Sequence, residues 1–389
     1  MAAATGPAVM PAADAFAGMP AEFRLLLALL RGTAAAVPGD LDWGRFLRLV
    51  DHHRVALRLE HDGAALPPEV AAALTRDRRD AAARSLLQAA ELARVARLLD
   101  GAGLSWMALK GPAFGRLLHG AAGRRGARDL DILVRPEGAP AARALLLSAG
   151  YAPAAHQPAG FHEGLVHAGA GILLELHTDL FDEPRLFPLS LFRPFEHAAT
   201  AEVAGTPVRT LALEPALVYA AVHGAKHFWR RLFWLLDIAD AARAERVDWP
   251  AVLALARRMG VERQVAGALV LARRLLDAPL PAALAADSSL MRAGERTAAF
   301  IGRLADRPLL RDEEEAYYAA GRFRTLRWML DIHTRADARR AVLAQVLAPS
   351  DKDRAAVALP GWLASGYLVV RPVRLLVEAL TRMGRHVRR

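Results

Sequence analysis

The segment ARDLDILVRP places two aspartates, Asp129 and Asp131, two residues apart inside an apolar run. In a β-strand, successive side chains point to opposite faces, so both carboxylates share one face while Leu130 and Ile132 occupy the other. Two carboxylates this close repel each other, and burying them unpaired is costly. The pattern therefore requires a positive partner beside them, which is either an arginine side chain or a metal ion.

Strand and helix patterns alternate only around these aspartates, in residues 104–182. LSWMALKG predicts a strand, PAFGRLLHG a short helix, RDLDILVRP a strand, EGAPAARALLLSAGY a helix and LVHAGAGILLELH a hairpin. Elsewhere, apolar residues recur at three- and four-residue intervals, which predicts helices. The sequence thus predicts an α+β fold with four regions: a disordered leader over 1–20, an N-terminal helical region over 21–103, an α/β core over 104–205 and a C-terminal helical region over 206–389.

Lys110 and Gly111 lie at the predicted strand-to-helix turn that precedes the aspartates. Glycine lets a ligand approach the backbone, and the N-terminus of a helix presents unpaired N–H groups and a positive dipole end to a phosphate. Lys110 adds a full positive charge, whereas Pro112 suits the first turn of a helix but has no N–H. Taken alone, Lys-Gly-Pro is more often an ordinary turn than a phosphate site.

A second pair of polar residues, Glu175 and His177, lies two apart in the apolar strand ILLELHTDL. If this strand pairs beside the one that carries Asp129 and Asp131, three carboxylates converge. Such a triad binds Mg²⁺, commonly as two ions about 3.5–4 Å apart that clamp the attacking and leaving oxygens of a phosphoryl displacement.

Arginines close to the aspartates offer the alternative partner. In an isolated Asp-x-Asp, ion pairing with an arginine at the end of a strand is the more common arrangement. The glycine turn upstream and the carboxylate strand downstream favour the metal in this chain. The candidate arginines are Arg124, Arg125 and Arg128.

These motifs in combination resemble a known family. The stretch MALKGPAFGRLLHGAAGRRGARDLDILVRPEGAPAARALLLSAGY contains a Leu-Lys-Gly turn, the pattern Arg-x-x-x-Asp-Leu-Asp-x-Leu-Val and a helix that ends in Gly-Tyr, and a Glu-Leu-His strand follows. The combination resembles the uncharacterised nucleotidyltransferase-like family of bacteria, within the polymerase-beta-type nucleotidyltransferase superfamily. The similarity covers about residues 25 to 270 and includes VYAAVHGAKHFWRRLFWLLDIADAARAERVDWPAVLALARRMG.

The resemblance implies a minimal nucleotidyltransferase mixed sheet with flanking helices, embedded between helical regions. It also implies that Asp129, Asp131 and Glu175 are catalytic and bind Mg²⁺ or Mn²⁺, with a nucleoside triphosphate as substrate. One departure is that superfamily enzymes usually carry Gly-Ser or Gly-Gly at the phosphate turn, where this chain has Gly111-Pro112. The residues expected to bind the nucleotide or its phosphates are Lys110, Gly111, Arg128, His177, Lys226 and His227.

The helical half contributes a second histidine motif. His223 and His227 are four residues apart and so share one face of the predicted helix, with Arg230 one turn further. A pair at this spacing can hold a metal, but no acidic residue nearby in the sequence completes a zinc site, and local packing is an alternative. Lys226 and His227 could instead face a nucleotide phosphate or the acceptor. The neighbouring aromatic residues are predicted to belong to the core: Phe228, Trp229, Phe233 and Trp234.

Composition limits the partners. The chain has a net charge of +10 and no cysteine, which excludes disulfides, thiolate metal sites and cysteine nucleophiles and fits a cytoplasmic protein. A basic balance favours phosphate-bearing partners, although the excess is dispersed along the chain. We find no apolar run long enough for a transmembrane helix. The basic C-terminal segment GYLVVRPVRLLVEALTRMGRHVRR is either a packed helix or a weak contact with a membrane surface.

The sequence therefore predicts a Mg²⁺-dependent enzyme that transfers a nucleotidyl group from a nucleoside triphosphate. It leaves the acceptor open among a small molecule, a peptide, a polysaccharide precursor and a tRNA. The alternative is an RNA-binding or toxin-like module that uses the basic helical half, or a non-catalytic tailoring partner on the same fold, because a fold does not fix a function.

Overall fold

The computed structural model describes residues 16–33, 37, 39–59, 65–121, 125, 127–155, 161–349, 351–360, 363, 366–367, 369–371 and 373–374. The chain forms two compact units, residues 1–334 and 335–389. The predicted disordered leader lies outside the described residues over 1–15, and Met19 in its last part is buried. Most of the predicted C-terminal membrane-contact segment, residues 375–389, also lies outside them.

The described residues of the first unit form a mixed seven-stranded sheet of order β3-β4-β5-β2-β1-β7-β6. The strands are β1 (Trp106–Ala108), β2 (Asp129–Val134), β3 (Tyr151–Pro153), β4 (His162–His167), β5 (Leu173–His177), β6 (Ala198–Val203) and β7 (Thr206–Leu211). The pairs β2–β5 and β1–β7 are parallel, and the other neighbours are antiparallel. The predicted α+β class is confirmed.

Helices surround this sheet and account for most of the remaining chain. In the first unit they are α1 (Ala21–Arg31), α2 (Trp43–His53), α3 (Pro68–Gly101), α4 (Gly111–His119), α5 (Ala139–Ser148), α6 (Leu189–Phe192), α7 (Leu213–Lys226), α8 (Leu232–Arg243), α9 (Trp249–Met259), α10 (Glu262–Leu276), α11 (Ala282–Ala285), α12 (Ser288–Gly302), α13 (Glu313–Ala320) and α14 (Arg322–Ile332). The second unit contains α15 (Ala336–Leu347) and α16 (Asp351–Ala356). Short 3₁₀ turns span Ala56–Arg58, Pro136–Gly138 and Pro194–His197. Among the described helices, none combines the length and the apolar character needed to span a bilayer.

The sheet extends beyond the predicted end of the α/β core at residue 205. Strand β7 begins at Thr206 and lies beside β1, where the Thr210 hydroxyl donates to the Ala108 carbonyl at 2.7 Å. The hairpin that joins β6 to β7 turns at Ala204 and Gly205, both with positive φ. Its sequence escapes recognition because β6 is rich in alanine and the turn lacks the Asn-Gly or Asp-Gly signal.

Strand β2 positions the aspartates because its two faces meet different surroundings. Leu130 and Ile132 lie in one core together with residues of α3 and α5, such as Leu92 and Leu146. Leu133 points to the opposite face and belongs to the core that contains α7 and α8. Asp129 and Asp131 share that second face by the alternation of the strand. The carboxylates therefore lie on the side of the sheet that faces α7 and α8.

The connection from α7 to α8 has an unusual backbone. Phe228 and Trp229 both adopt left-handed conformations, with φ of +56° and +42°. The Trp229 N–H donates to the Gly224 carbonyl at 2.8 Å, and its indole packs so closely on α7 that a Cβ at Gly224 would lie 2.4 Å from Trp229 Nε1. A residue with a side chain is strained in the left-handed conformation, so the packing around Phe228 and Trp229 must hold their backbone in place.

Candidate metal and nucleotide site

A cavity of about 300 Å³ lies against the sheet face that carries the two aspartates. Its walls come from β2 and β5, the start of α4, the α7 helix, the α7–α8 connection and the end of α2. The structure thereby brings nearly all of the sequence-predicted site residues to one cavity. Those that line it are Lys110, Gly111, Asp129, Asp131, Glu175, His177, His223, Lys226 and His227.

Asp131, Glu175 and His177 gather at one point of this cavity. Strand β5 runs parallel to β2 in a register that pairs Asp131 with Glu175. His177 Nε2 lies 3.2 Å from Asp131 Oδ1 and 3.3 Å from Glu175 Oε2. Within the described ranges, these three side chains form the group whose ligand atoms all lie within 4.8 Å of one another.

The chemistry of this group fits a cation. Asp131 Oδ1 and His177 Nε2 are buried, and neither makes a well-directed hydrogen bond with a described residue. Two carboxylates and an imidazole whose oxygen and nitrogen atoms lie this close together suit a divalent ion that takes all three. His177, which the sequence assigned to phosphate binding, thus belongs to the candidate metal group.

Asp129 lies beside this group but not in it. Its side chain lines the same cavity and is half-buried, and it shares the strand face of Asp131. Burial, reinforced by the neighbouring Asp131 carboxylate, raises the pKa of Asp129 to about 6. Of the three predicted metal ligands, Asp131 and Glu175 thus belong to the group, and Asp129 lies outside it in the same cavity.

Lys110 provides the positive partner that the paired aspartates require. Its Nζ lies 3.0 Å from Asp131 Oδ1 and 5.9 Å from the centre of the Tyr219 ring. Burial alone would raise the pKa of Asp131, but Lys110 and His177 outweigh it and hold that pKa well below its usual value. Burial would likewise lower the pKa of Lys110, and the nearby Asp131 raises it instead. Both groups therefore stay ionised.

The turn after Lys110 has the conformation expected of a close approach to a ligand. Gly111 has φ of +69°, in the left-handed region that favours glycine, and it is the first residue of α4. Among the first three residues of this helix, Gly111 and Ala113 carry an N–H and Pro112 does not. The Gly111 N–H thus borders the cavity beside the Lys110 ammonium, and the Ala113 N–H lies behind it in the first turn of the helix.

Neither of the described arginines proposed as structural partners of the aspartates pairs with them. Arg128 is exposed, with Nη2 at 3.9 Å from Asp51 Oδ1, and it lines a second cavity rather than the first. Arg125 is buried and forms an ion pair with Asp237 of α8 at 2.8 Å. Arg124 lies outside the described residues. The structure therefore does not bring Arg128 to the predicted phosphate site.

His223 and His227 form the wall opposite the sheet, with ring centres 4.5 Å apart. An acidic partner for His227 does exist, but it comes from α13, where Glu313 Oε1 lies 2.5 Å from His227 Nδ1. Arg230 donates to the same oxygen at 2.7 Å. Lys226 borders the cavity and pairs with Asp182 at 2.9 Å.

The aromatic residues of this region divide into two pairs. Phe228 and Trp229 are buried in the core, as predicted. Phe233 and Trp234 pack against the same core but also line the cavity, where the Trp234 ring stacks on His227 at 5.1 Å. Part of the predicted aromatic core therefore forms a wall of the candidate site.

We expect the Glu313→Gln substitution to destabilise the folded protein at neutral pH and to matter less in acid. Burial alone would raise the pKa of Glu313, but His227 and Arg230 hold it well below its usual 4.5. A carboxyl whose pKa falls on folding stabilises the protein above its unfolded pKa, and this stability is lost as the pH falls toward the folded pKa. The urea midpoint of Glu313→Gln should lie below that of wild type at neutral pH, and the difference should shrink as the pH is lowered to about 3.

The exposed neighbour Glu314 provides the matched control. Glu314→Gln should leave the urea midpoint nearly unchanged throughout. A destabilisation by Glu313→Gln that stays constant with pH would show that the carboxylate charge is not its source.

Sequence reasoning did not identify four further polar residues that line the cavity. They are Arg54, His162, Tyr219 and Arg231. His162 stacks on His177 with ring centres 4.8 Å apart and begins β4, whose partner is β5. The doublet Arg230-Arg231 was a visible signal, but Arg54 at the end of α2 is separated from the motifs by more than fifty residues and carries no local signal.

Comparison with known proteins assigns the chain to a family. Residues 39–277, more than half of the chain, match the uncharacterised nucleotidyltransferase family, and the protein belongs to it. The predicted family is thereby confirmed. Among solved structures, the chain is similar to an antigenic nucleotidyltransferase-like protein from Paracoccidioides brasiliensis, with 17% sequence identity, a TM-score of 0.33 and coverage of 54% of this chain and 97% of that chain. A comparison with curated proteins found no match.

Proposed function

We propose that this protein transfers a nucleotidyl group from a nucleoside triphosphate to an acceptor hydroxyl, with a divalent metal ion as cofactor. The observation that carries the proposal is the gathering of Asp131, Glu175 and His177 within 4.8 Å in a cavity bordered by Lys110 and Gly111. Membership of the uncharacterised nucleotidyltransferase family supports it independently of this geometry.

Asp131, Glu175 and His177 would hold the metal ion, with Asp129 beside them. Mg²⁺ or Mn²⁺ bound there supplies a Lewis acid that stabilises the charge developing on the transferred phosphoryl group. Carboxylates suit both ions, while an imidazole nitrogen favours a transition metal, so the mixed set favours Mn²⁺ over Mg²⁺.

Lys110 and the start of α4 would bind phosphate oxygens. The Lys110 ammonium stays charged in its buried position, and the Gly111 and Ala113 N–H groups stand at the positive end of the helix dipole. Phosphoryl transfer depends mainly on positioning and on neutralising charge. These groups therefore suit the triphosphate in spite of the missing N–H at Pro112.

Asp129 is the best candidate for the base that accepts the proton of the acceptor hydroxyl. A general base works best when its pKa is near the operating pH, and burial beside Asp131 brings the pKa of Asp129 to about 6. Glu175 is less suited to this role, because its contact with His177 outweighs burial and lowers its pKa. The cavity also offers the faces of Phe233 and Trp234, apolar surfaces that suit a nucleobase.

The test is calorimetric binding of ATP, GTP, CTP and UTP in the presence of Mg²⁺, Mn²⁺ or EDTA. At least one nucleotide should bind more tightly with metal, and this metal dependence should disappear in the Asp129→Ala/Asp131→Ala variant. Equal binding with and without metal, together with no effect of the double substitution, would refute the proposal. RNA binding that falls steeply with salt and ignores both Mg²⁺ and Asp131 would favour the RNA-binding alternative.

A further inference from the structure

The cavity contains more positive charge than its carboxylates neutralise. Most of its cations have an acidic partner in the structure. The pairs are Lys110–Asp131, Arg125–Asp237, Lys226–Asp182 and Arg230–Glu313. Arg54 and Arg231 differ, because no ion pair joins either of them to another described residue.

These two arginines also leave hydrogen-bonding capacity unused. The Nε atoms of Arg54 and Arg231 are buried without a hydrogen-bond partner among the described residues, and so is Nη1 of Arg230. Burial, together with the charge of Arg231, lowers the pKa of Arg54 to about 9. Burial and the neighbouring Arg230 lower the pKa of Arg231 to about 10. The guanidinium groups thus repel one another and are partly removed from water, and a bound anion would offset this electrostatic cost.

A hydrogen bond to the His53 ring brings the chain at Arg54 close to the chain at Arg231. His53, the last residue of α2, accepts a hydrogen bond through Nδ1 from the N–H of Leu232, the first residue of α8, at 3.2 Å. Arg54 directly follows His53, and Arg231 directly precedes Leu232. Arg54 has φ of +55°, a left-handed conformation that costs energy for a residue with a side chain.

The start of α8 adds to this positive surface. Arg231 is the N-cap of this 12-residue helix, so its side chain lies at the positive end of the helix dipole. The left-handed pair Phe228 and Trp229 precedes it in the chain, with Arg230 between them. Two strained connections therefore converge on one cluster of guanidinium groups, and the multiple oxygens of a phosphoryl group match the fixed donor forks of arginine.

We propose that Arg54 and Arg231 form a phosphoryl-binding subsite separate from the Lys110-Gly111 turn. The subsite deepens the proposed nucleotidyl transfer and rests on it for the nature of the ligand. Arg54 lines both the first cavity and a second cavity of about 260 Å³, where Arg84 and Arg128 lie among three aspartates, Asp51, Asp77 and Asp80. The phosphoryl group therefore belongs either to the triphosphate tail of the donor, in the first cavity, or to a phosphorylated acceptor that enters through the second.

The experiment measures binding of inorganic tripolyphosphate by calorimetry in EDTA, so that the metal group plays no part. Wild type should bind it, and Arg54→Gln and Arg231→Gln should each weaken the affinity about tenfold or more, the effect of losing charge-assisted hydrogen bonds. Arg292→Gln, on an exposed face of α12, is the matched control and should leave the affinity unchanged. A circular dichroism spectrum and a urea midpoint close to those of wild type show that each variant is folded.

A nucleotide series separates the two sources. If the subsite binds the donor tail, the loss of affinity caused by Arg54→Gln grows from AMP through ADP to ATP. If it binds an acceptor phosphate, ATP binding is unaffected by Arg54→Gln, and tripolyphosphate still binds to wild type that is saturated with ATP.

Tripolyphosphate affinity equal to wild type in both variants would overturn the subsite. The same conclusion follows if Arg292→Gln weakens binding as much as they do, because the effect would then reflect net charge alone. Since the measurement is made without metal, its failure leaves the metal-dependent transfer standing. Conversely, tripolyphosphate binding that depends on Arg54 and Arg231, together with nucleotide binding that does not depend on metal, would support the subsite and contradict the proposed nucleotidyl transfer.

Discussion

We expect Asp131→Asn to lower metal-dependent nucleotidyl transfer by about a thousandfold, since the stabilisation that a bound metal ion gives the transition state amounts to several kcal/mol. Asp131 is buried and stands at the centre of the site, in contact with Lys110 and with His177. Asparagine keeps the shape of the side chain but removes the charge. The substitution therefore weakens the metal group and at the same time leaves the Lys110 ammonium without its counter-charge.

The measurement is turnover of the nucleotide that binds best, combined with a Mn²⁺ titration of the same samples. Asp306→Asn, an exposed aspartate of the first unit, serves as the matched control and should retain wild-type turnover and Mn²⁺ affinity. Asp131→Asn should lose both together. Turnover that persists at the wild-type level while Mn²⁺ binding is lost would separate catalysis from this metal group and contradict the assignment.

The elements around the site could be predicted from the sequence because their signals are local. β1, α4, β2, α5 and the β4–β5 hairpin all occur where the alternation of apolar residues, the glycines and the prolines place them. The convergence of Asp131 and Glu175 depended on one further assumption, that their strands are neighbours. The parallel register of β2 and β5 meets that assumption.

The ligand set was less predictable than the strands. A strand pattern shows which residues share a face of the sheet. It does not show which of them lie close enough to residues of the next strand to bind one metal ion. Pairing across β2 and β5 gathers Asp131 with Glu175 and His177 and leaves Asp129 beside them. Histidine at that position looks the same in sequence whether it contacts a phosphate or a metal ion, and the sequence does not show that it lies beside both Asp131 and Glu175.

Residues that come from distant helices could not be predicted in the same way. Glu313 reaches His227 from α13, and Arg54 reaches the cavity from the end of α2. Neither has a fixed spacing from the motifs that define the site. Such positions are set by how helices pack on one another, and single-sequence patterns carry little information about that packing.

Arg125 illustrates how a motif residue acquires a structural role. It is the arginine of the pattern Arg-x-x-x-Asp-Leu-Asp, and the sequence offered it as a partner for Asp129 or Asp131. In the structure it is buried, pairs with Asp237 of α8 at 2.8 Å, and lies over the Phe114 ring at 5.4 Å. The pair therefore ties the loop before β2 to α8, at the wall of the cavity that Arg125 helps to line.

We expect each single substitution of this pair, Arg125→Met or Asp237→Leu, to lower the free energy of unfolding by about 3–5 kcal/mol, because each leaves one buried charge without its partner. The double variant should recover most of that loss, since apolar residues of similar volume avoid the cost of burying charge. Urea unfolding of the four proteins of this double-mutant cycle gives the coupling energy directly. Additive losses in the double variant would show that Arg125 and Asp237 stabilise the fold independently, and that the loop before β2 is held to α8 by other contacts.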